Sequence, residues 1–219
     1  MDSRAFLDFL KIAERLKCNT RHSYTSSGRH ESVAEHSWRL TMMAYFMQDE
    51  FSEADIDKVI KMCIFHDMGE AITGDIPAFE KTTADSEHEN SVMDELLDTL
   101  PEPYKTDLKE LFAEMEALET LEAKIYKALD KLEALIQHNE ADLSTWIPLE
   151  YDLQMTYGEK ECMADPYLTK LREVIRQISE DKITAEGEDR ESSYYIRKDI
   201  ENMQLSEVTD LLRSTEWAE

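Results

Sequence analysis

The chain is poor in the residues that interrupt helices or cross-link small folds. Its 219 residues include five glycines, five prolines and three cysteines. Because glycine and proline break helices, their scarcity beside many Leu, Ala, Glu, Lys and Met residues predicts an all-α protein. Cys18, Cys63 and Cys162 are odd in number and scattered along the chain. They argue against a disulfide framework and indicate reduced thiols in a cytoplasmic protein.

Positive charge is also scarce: the chain has 24 Lys and Arg residues against 49 Asp and Glu residues, and its formal net charge is −25 at pH 7. Nucleic-acid backbones require a basic surface, so this balance argues against a polymeric nucleic acid as partner. A small anionic substrate is compatible with it, because a metal and one or two arginines reverse the field locally. The chain lacks a membrane-length apolar run and a signal-peptide pattern, and we expect no membrane partner.

One stretch stands out against this background, the apolar helical run 59–65 that ends in His66 and Asp67. Glu70 follows three residues later. Burying an imidazole beside a carboxylate is costly unless something compensates, and a divalent metal is the commonest compensation. Such a pair is common by chance, but here it has a partner on each side, His36 upstream and Asp130 downstream.

Each of the outer partners has an ordinary structural interpretation when taken alone. A single histidine near an apolar face, such as His36, is usually a core residue. Asp130 lies at the flank of an apolar stripe of period 3.6 over residues 121–138, where a surface carboxylate is common. Their order around His66 and Asp67 favours a ligand role for both.

Four motifs carry a resemblance to a known family: Arg21, then Glu31–His36, then His66–Ile76, then Leu129–Glu133. They resemble the HD-domain phosphohydrolases, and within these the small single-domain 5'-deoxynucleotidases and the HD-domain-containing protein 2 group. The similarity covers most of the chain, residues 5–178. It implies a single HD-domain helical bundle and a homodimer.

The resemblance also implies a site, in which four residues bind one divalent metal: His36, His66, Asp67 and Asp130. Mixed imidazole and carboxylate ligands suit Mn, Fe, Co, Ni or Zn better than Mg. By the same resemblance Glu70 and Asp75 are expected to be the catalytic residues, with Glu70 accepting or donating a proton. Arg21 becomes the clamp for a phosphate, because a guanidinium binds phosphate oxygens in a bidentate way.

Two details refine these expectations. The bacterial members have a tryptophan directly after the arginine, whereas this chain has His22, so we expect His22 to bind the substrate and leave the sugar preference open. Two-metal relatives need further histidines between the HD pair and the last aspartate. Only His88 lies there in this chain, which favours one metal.

Helical periodicity predicts helices over residues 4–17, 33–48, 52–67, 87–99, 104–118, 121–138 and 165–178. Polar composition predicts loops over 19–30 and 80–89, the second as an exposed loop or lid. Residues 146–157 are expected to form a loop and a packing segment.

The end of the chain has a different composition. We expect an HD domain over residues 1–180, a charged linker over 181–193, and an appendage over 194–219 made of a short strand at 194–197 and a helix. The appendage is also similar to the opening strand and first helix of GNAT-type acetyltransferases. A family-specific C-terminal helix is the alternative.

Two functions remain open from the sequence. The first is a metal-dependent phosphohydrolase that removes the 5'-phosphate from nucleoside or deoxynucleoside monophosphates by direct attack of water, or acts on another small phosphate ester. The second is a degenerate HD domain that binds a nucleotide or a partner protein without turnover. Intact ligands and Glu70 favour the enzyme.

Overall fold

The computed structural model describes the backbone of residues 1–202 and the side chains of residues 1–186. Its helices, in chain order, are α1 (Ser3–Ala13), α2 (Val33–Tyr45), α3 (Ile56–Phe65), α4 (Glu70–Thr73), α5 (Thr83–Asp98), α6 (Tyr104–Ala117), α7 (Leu121–Glu140), α8 (Pro148–Thr156), α9 (Glu159–Cys162) and α10 (Pro166–Asn202). The strands β1 (Thr20–Tyr24) and β2 (His30–Ser32) pair antiparallel. This confirms the expected all-α bundle.

Helix α7 is the centre of the bundle, packed against α2 and α3. Its apolar stripe includes Ile125, Leu129 and Leu132, which are almost fully buried among residues of α2 and α3 such as Leu40 and Met62. Fully burying a side chain of this size contributes about 2 kcal/mol to stability. The packing fixes α2, α3 and α7 side by side, so that polar residues on their facing sides lie close together.

The N-terminus of each central helix is set by its own cap. Ser32 caps α2 in a capping box with Glu35, as the sequence predicts. Asp55 caps α3, so the helix begins later than the expected residue 52, because the Asp55 carboxylate accepts from the amide of Lys58. Thr120 caps α7 by accepting from the amide of Ala123.

Three predicted loops contain regular structure instead. The segment 19–30 holds β1 and a turn in which Gly28 takes a positive φ of 79°. Its strands are polar, so they lack the apolar alternation that would have predicted them. Helix α5 starts at Thr83, inside the expected loop 80–89, because Thr82 and Asp85 form a capping box. Helix α8 occupies most of 146–157, with Pro148 in its first turn.

The chain divides into a compact unit of residues 1–176 and a second unit that begins at Gln177. Helix α10 continues to Asn202, so residues 194–197 are helical where a short strand was expected. Helix-favouring Glu, Lys and Arg residues surround that stretch, and their helix propensity outweighs the strand propensity of the two tyrosines. The predicted helix after residue 202 lies outside the described residues.

No helix in the part of the chain that the structure describes is both long and apolar enough to cross a membrane.

Candidate metal centre

Four of the predicted site residues converge where α2, α3 and α7 meet. His36 lies in the first turns of α2, His66 and Asp67 directly follow α3, and Asp130 lies in the middle of α7. The Nε2 atom of His36 is 3.3 Å from Nε2 of His66 and 3.3 Å from Oδ1 of Asp130. The Nε2 atom of His66 is 2.9 Å from Oδ2 of Asp67. We call these four residues the ligand cluster.

The other nitrogen of each imidazole is anchored by an acceptor. Nδ1 of His66 donates to the carbonyl of Cys63 at 3.0 Å, and Nδ1 of His36 is hydrogen-bonded to the carboxylate of Glu133. Glu133 is fully buried and is itself held by Nε of Arg39 at 2.6 Å. Because Nδ1 of each ring is held by an acceptor, Nε2 is the nitrogen that faces the ligand cluster and can bind a proton or a metal.

This arrangement fits a divalent metal. Two imidazole nitrogens face each other at 3.3 Å beside two carboxylates, an arrangement that a bound proton or metal cation stabilises. Atoms held about 2.1 Å from one centre are about 3.0–3.4 Å apart when adjacent and about 4.2 Å apart when opposite. The distances from the two imidazole Nε2 atoms to the two carboxylates run from 2.9 to 3.9 Å, and His36, His66 and Asp67 are mutually close enough to hold one ion. Two nitrogen and two oxygen donors suit a transition metal.

Charges within the ligand cluster shift its protonation strongly. Burial opposes the charged form of Asp67, but the neighbouring His66 and His36 outweigh it and lower the pKa of Asp67. Burial and Arg21 disfavour a charged His36, yet the carboxylates of Glu133 and Asp130 raise the pKa of His36 to about 9. A proton and a metal therefore compete for the same side of His36.

Arg21 lies on β1 at the edge of the ligand cluster. Its Nε is 3.4 Å from Oε2 of Glu31, and its Nη1 is 3.8 Å from Oδ2 of Asp67. Burial opposes its charge, but the carboxylates of Glu133, Asp67 and Glu31 raise the pKa of Arg21, so it stays a cation. The register of β1 is irregular between Thr20 and Tyr24.

A cavity of about 670 Å³ opens beside the ligand cluster. We call it the metal-side cavity, and the predicted site residues that line it are Arg21, His66, Asp67, Glu70, Asp75 and Asp130. His36 lies behind them, fully buried. The structure thus places seven of the eight predicted residues at one location, and their roles as ligands and catalysts stay predictions.

Glu70 stands at the start of α4, with 5% of its surface exposed. Its Oε2 is buried and has no hydrogen-bond partner among the described residues. Burial, followed by the negative charges of Asp67 and Asp75, raises the pKa of Glu70 to about 10. A carboxyl in this state holds a proton at neutral pH and can donate it.

Asp75 follows α4, beyond Gly74, which takes a positive φ of 81°. Burial raises the pKa of Asp75, although Arg21 opposes this shift. The positive φ turns the chain so that Glu70 and Asp75 both line the metal-side cavity.

Lysines on α7 add positive charge that the sequence analysis did not assign. Nζ of Lys127 is 3.0 Å from Oδ2 of Asp130, so its charge is neutralised. Nζ of Lys131 instead donates to the hydroxyl of Tyr157 at 2.6 Å and lies 4.5 Å from the centre of that ring. Among the described residues Lys131 has no carboxylate partner, although it lines the metal-side cavity.

The turn between α8 and α9 holds Lys131 closely. Gly158 takes a positive φ of 72°, and a Cβ built on it would lie 2.8 Å from Cβ of Lys131. Such a distance is too short for two carbon atoms. Glycine at this position therefore allows the backbone of the turn to touch α7 directly beside Asp130.

His22 is the one predicted site residue that lies apart from the metal-side cavity. It lines an adjoining cavity together with two residues that the sequence analysis did not single out, His138 and Glu150. The spacing of these three residues along the chain carries no signal, because they come from β1, α7 and α8. The signal for Glu133 was available, since it lies one helical turn from Asp130.

Comparisons with known proteins agree with this geometry. A family model described as "HD domain" matches residues 13–172. The 5'-deoxynucleotidase HDDC2 of Bos taurus is 33% identical over 184 residues, which cover 81% of this chain and 84% of that protein. The human protein of the same name is 29% identical over 184 residues, with 81% and 85% covered.

Solved structures share the fold. A crystal structure named as a predicted metal-dependent phosphohydrolase from Magnetospirillum magnetotacticum MS-1 superposes with a TM-score of 0.67 at 26% identity, covering 83% of this chain and 95% of that one. A conserved hypothetical protein from Pyrococcus furiosus gives a TM-score of 0.59 at 29% identity, covering 78% and 98%. The family match spans the ligand cluster and most of the bundle, and the chain belongs to the HD-domain family.

Proposed function

We propose that this protein is a metal-dependent phosphohydrolase that releases phosphate from nucleoside 5'-monophosphates. The observation that carries the proposal is the ligand cluster, in which two anchored imidazoles and two carboxylates converge beside Arg21. The relatives named 5'-deoxynucleotidase support nucleotides as the substrate class.

His36, His66, Asp67 and Asp130 would hold one divalent ion, with Mn, Co, Fe, Ni or Zn favoured over Mg by the imidazole donors. When bound, the ion supplies Lewis acidity that lowers the pKa of water and polarises the phosphate. The protein residues do the remaining work. They bind the phosphate, orient the attacking water and supply a proton to the leaving group.

Two cations are placed to bind the phosphate, Arg21 from β1 and Lys131 from α7. The other ammonium groups around the metal-side cavity have carboxylate partners: Lys81 with Glu89, Lys109 with Asp94 and Asp98, and Lys127 with Asp130. The carboxylate of Asp75, which lines the same cavity, contributes negative potential that repels additional phosphates. A single phosphate therefore suits the cavity better than a di- or triphosphate does.

Glu70 acts as the proton donor to the leaving 5'-oxygen. Its buried carboxyl retains a proton at neutral pH, and Oε2 has no partner among the described residues, so the proton can pass to a substrate atom. Asp75, across the same cavity, orients the attacking water. The products are a nucleoside and inorganic phosphate.

Phosphate release from a nucleotide panel tests the proposal. With Mn or Co added, dAMP and AMP should release phosphate, with dAMP somewhat preferred, and dATP should be a poor substrate. A specificity constant that is highest for dATP would contradict the monophosphatase assignment. Binding of dAMP without phosphate release under every metal would favour the degenerate domain.

We also propose that the active unit is a homodimer. Trp38 on α2 is 65% exposed, and with Phe6 and Leu10 of α1 it lines an apolar cavity of about 870 Å³. Contiguous exposed apolar surface of this kind marks interaction sites. Light scattering should therefore give the mass of two chains.

Two further expectations stay proposals. The HD domain occupies residues 1–180, which the family match over 13–172 supports, and residues 181–193 separate it from the C-terminal appendage. A cytoplasmic location agrees with the three free cysteines.

A further inference from the structure

A second cavity, of about 220 Å³, adjoins the metal-side cavity. The two cavities share the lining residues Arg21, Asp75 and Tyr157. Apolar side chains form much of the second cavity, including Phe79, Leu135 and Leu153, and a polar group of His22, His138 and Glu150 forms the rest. A substrate whose phosphate binds Arg21 would therefore extend directly into this space.

The polar group is organised by Glu150, which is 2% exposed. One carboxylate oxygen, Oε1, is hydrogen-bonded to Nε2 of His22 and lies 3.1 Å from Nε2 of His138. The other oxygen, Oε2, accepts from the amide of Ile147 at 2.7 Å and caps α8. The ring of Phe79 packs edge-on against His22 at 5.4 Å. Glu150 thereby fixes both imidazole rings.

The geometry favours hydrogen bonding to a ligand over metal binding. Both Nε2 atoms face Oε1 of Glu150, and neither Nδ1 atom is hydrogen-bonded within residues 1–186, so Nδ1 is the ring atom left for a ligand. The hydrogen bond from Glu150 raises the pKa of His22, whereas burial lowers that of His138. An imidazole nitrogen donates or accepts a hydrogen bond according to its protonation, and a hydroxyl group can pair with either.

The chain order explains why this group lies next to the phosphate clamp. Side chains of consecutive strand residues point to opposite faces, but β1 is irregular between Thr20 and Tyr24. Arg21 and His22 consequently line the same cavity. The part of the substrate bonded to the phosphate is then the part that meets His22.

On the basis of the proposed function, we infer that the second cavity takes the sugar of the monophosphate, and that Glu150 is a positioning residue that holds His22 and His138 against the sugar hydroxyls. The apolar residues Phe79, Leu135 and Leu153 pack against the carbon skeleton. Glu150 thus influences which sugar is accepted without touching the phosphate.

Glu150→Gln is the variant that tests this. Glutamine keeps the volume, and its carbonyl can still accept from the amide of Ile147, but its NH₂ group then faces the two imidazoles and cannot accept from them. The Mn-loaded full chain is assayed with dAMP and AMP, with deoxyadenosine and inorganic phosphate as competitive inhibitors. Glu159→Gln removes an exposed charge nearby and serves as the control.

We expect the KM for dAMP and the Ki for deoxyadenosine to rise about tenfold, because roughly one hydrogen bond to the sugar is lost. The kcat for dAMP should stay within about threefold of the wild-type value. The Ki for inorganic phosphate should not change, and the dAMP to AMP ratio of kcat/KM should move toward one. His138→Phe, which keeps a ring but removes both nitrogens, should give the same pattern if Glu150→Gln fails to fold.

Two results would overturn the inference while leaving the proposed function intact. One is an unchanged Ki for deoxyadenosine in both variants. The other is an equal loss of affinity for deoxyadenosine and inorganic phosphate, which indicates general damage to the fold. A wild-type protein that releases no phosphate from any monophosphate overturns the proposed function first, and the inference with it, before any variant is compared.

Discussion

Two clusters in this protein contain the same residue types but are built for different chemistry. The ligand cluster holds two imidazoles and two carboxylates, and the group around Glu150 holds two imidazoles and one carboxylate. In the first, Nδ1 of each ring is anchored by Glu133 or by the carbonyl of Cys63, so Nε2 is the nitrogen that faces the other members of the cluster. In the second, Nε2 itself is hydrogen-bonded to Glu150. The anchored nitrogen decides whether a histidine can bind a metal or a hydroxyl.

The largest effect should come from removing a member of the ligand cluster. Asp67→Ala deletes one oxygen donor and removes part of the negative charge that would hold a cation in the ligand cluster. We expect loss of the one bound ion per chain and no measurable hydrolysis. Elemental analysis and phosphate release measure this, with the exposed Asp57→Ala on α3 as control. Full metal content in Asp67→Ala would show that the four residues are not the metal site.

Glu70→Gln should separate proton transfer from metal binding. The amide has nearly the volume of the carboxyl but cannot give up a proton, so kcat should fall about 10²–10⁴-fold. Metal content and melting temperature should stay near those of the wild type. The exposed Glu87→Gln is the matched control. Turnover close to wild type would remove Glu70 from the reaction.

A paired substitution tests the contrast between the two clusters directly. Glu133→Gln weakens the anchor of His36, and loss of such an outer hydrogen bond lowers metal affinity about 10–100-fold. Glu150→Gln alters the equivalent contact in the other cluster and should leave metal affinity unchanged. Titration with Mn or Co measures both. Equal metal affinities in the two variants would mean that the anchored nitrogen does not distinguish the clusters.

The smallest effect concerns pH. The folded-state pKa of His36 is about 9, above its ordinary value of 6.5, so its protonation stabilises the metal-free protein fully below about pH 6.5. That contribution is lost as the pH rises through 9. We expect the melting temperature in EDTA to fall by about 5 °C or less over this interval.

Metal binding should depend on pH in the opposite direction, because the ion and the proton compete for Nε2 of His36. The affinity for Mn should therefore increase between pH 6.5 and 9. A pH-independent affinity, measured by titration in the same buffers, would contradict the assignment of His36 as a ligand.

The parts of the fold that follow from periodicity were predictable from the sequence. Helix α7 was expected over 121–138 and is observed over Leu121–Glu140, because its apolar stripe has a regular 3.6 period. The hairpin was missed because its residues face the site and are polar. Helix α8 was missed because it is short and its N-terminus depends on Pro148 and Glu150.

The residues of the candidate site also divide into those that the sequence predicts and those that only the folded structure reveals. His36, His66, Asp67 and Asp130 stand in motifs that keep their order along the chain, so their proximity could be expected. Lys131 could not be assigned, because its significance lies in lacking a carboxylate partner among the described residues, and partners are a property of the folded chain. The Glu150 group joins three elements that are distant in sequence, and no pattern in the sequence connects them.

Gly158 has a consequence for anyone who would redesign this scaffold. A Cβ at this position would lie 2.8 Å from Cβ of Lys131, the residue next to Asp130, so the turn between α8 and α9 has no room for a side chain against the helix that carries the proposed ligand Asp130. Any larger residue there would push α7 and displace Asp130 and Lys131 together. Libraries that vary the sugar-binding wall through α8 should therefore keep residue 158 as glycine, or changes in specificity will be confounded with damage to the metal centre.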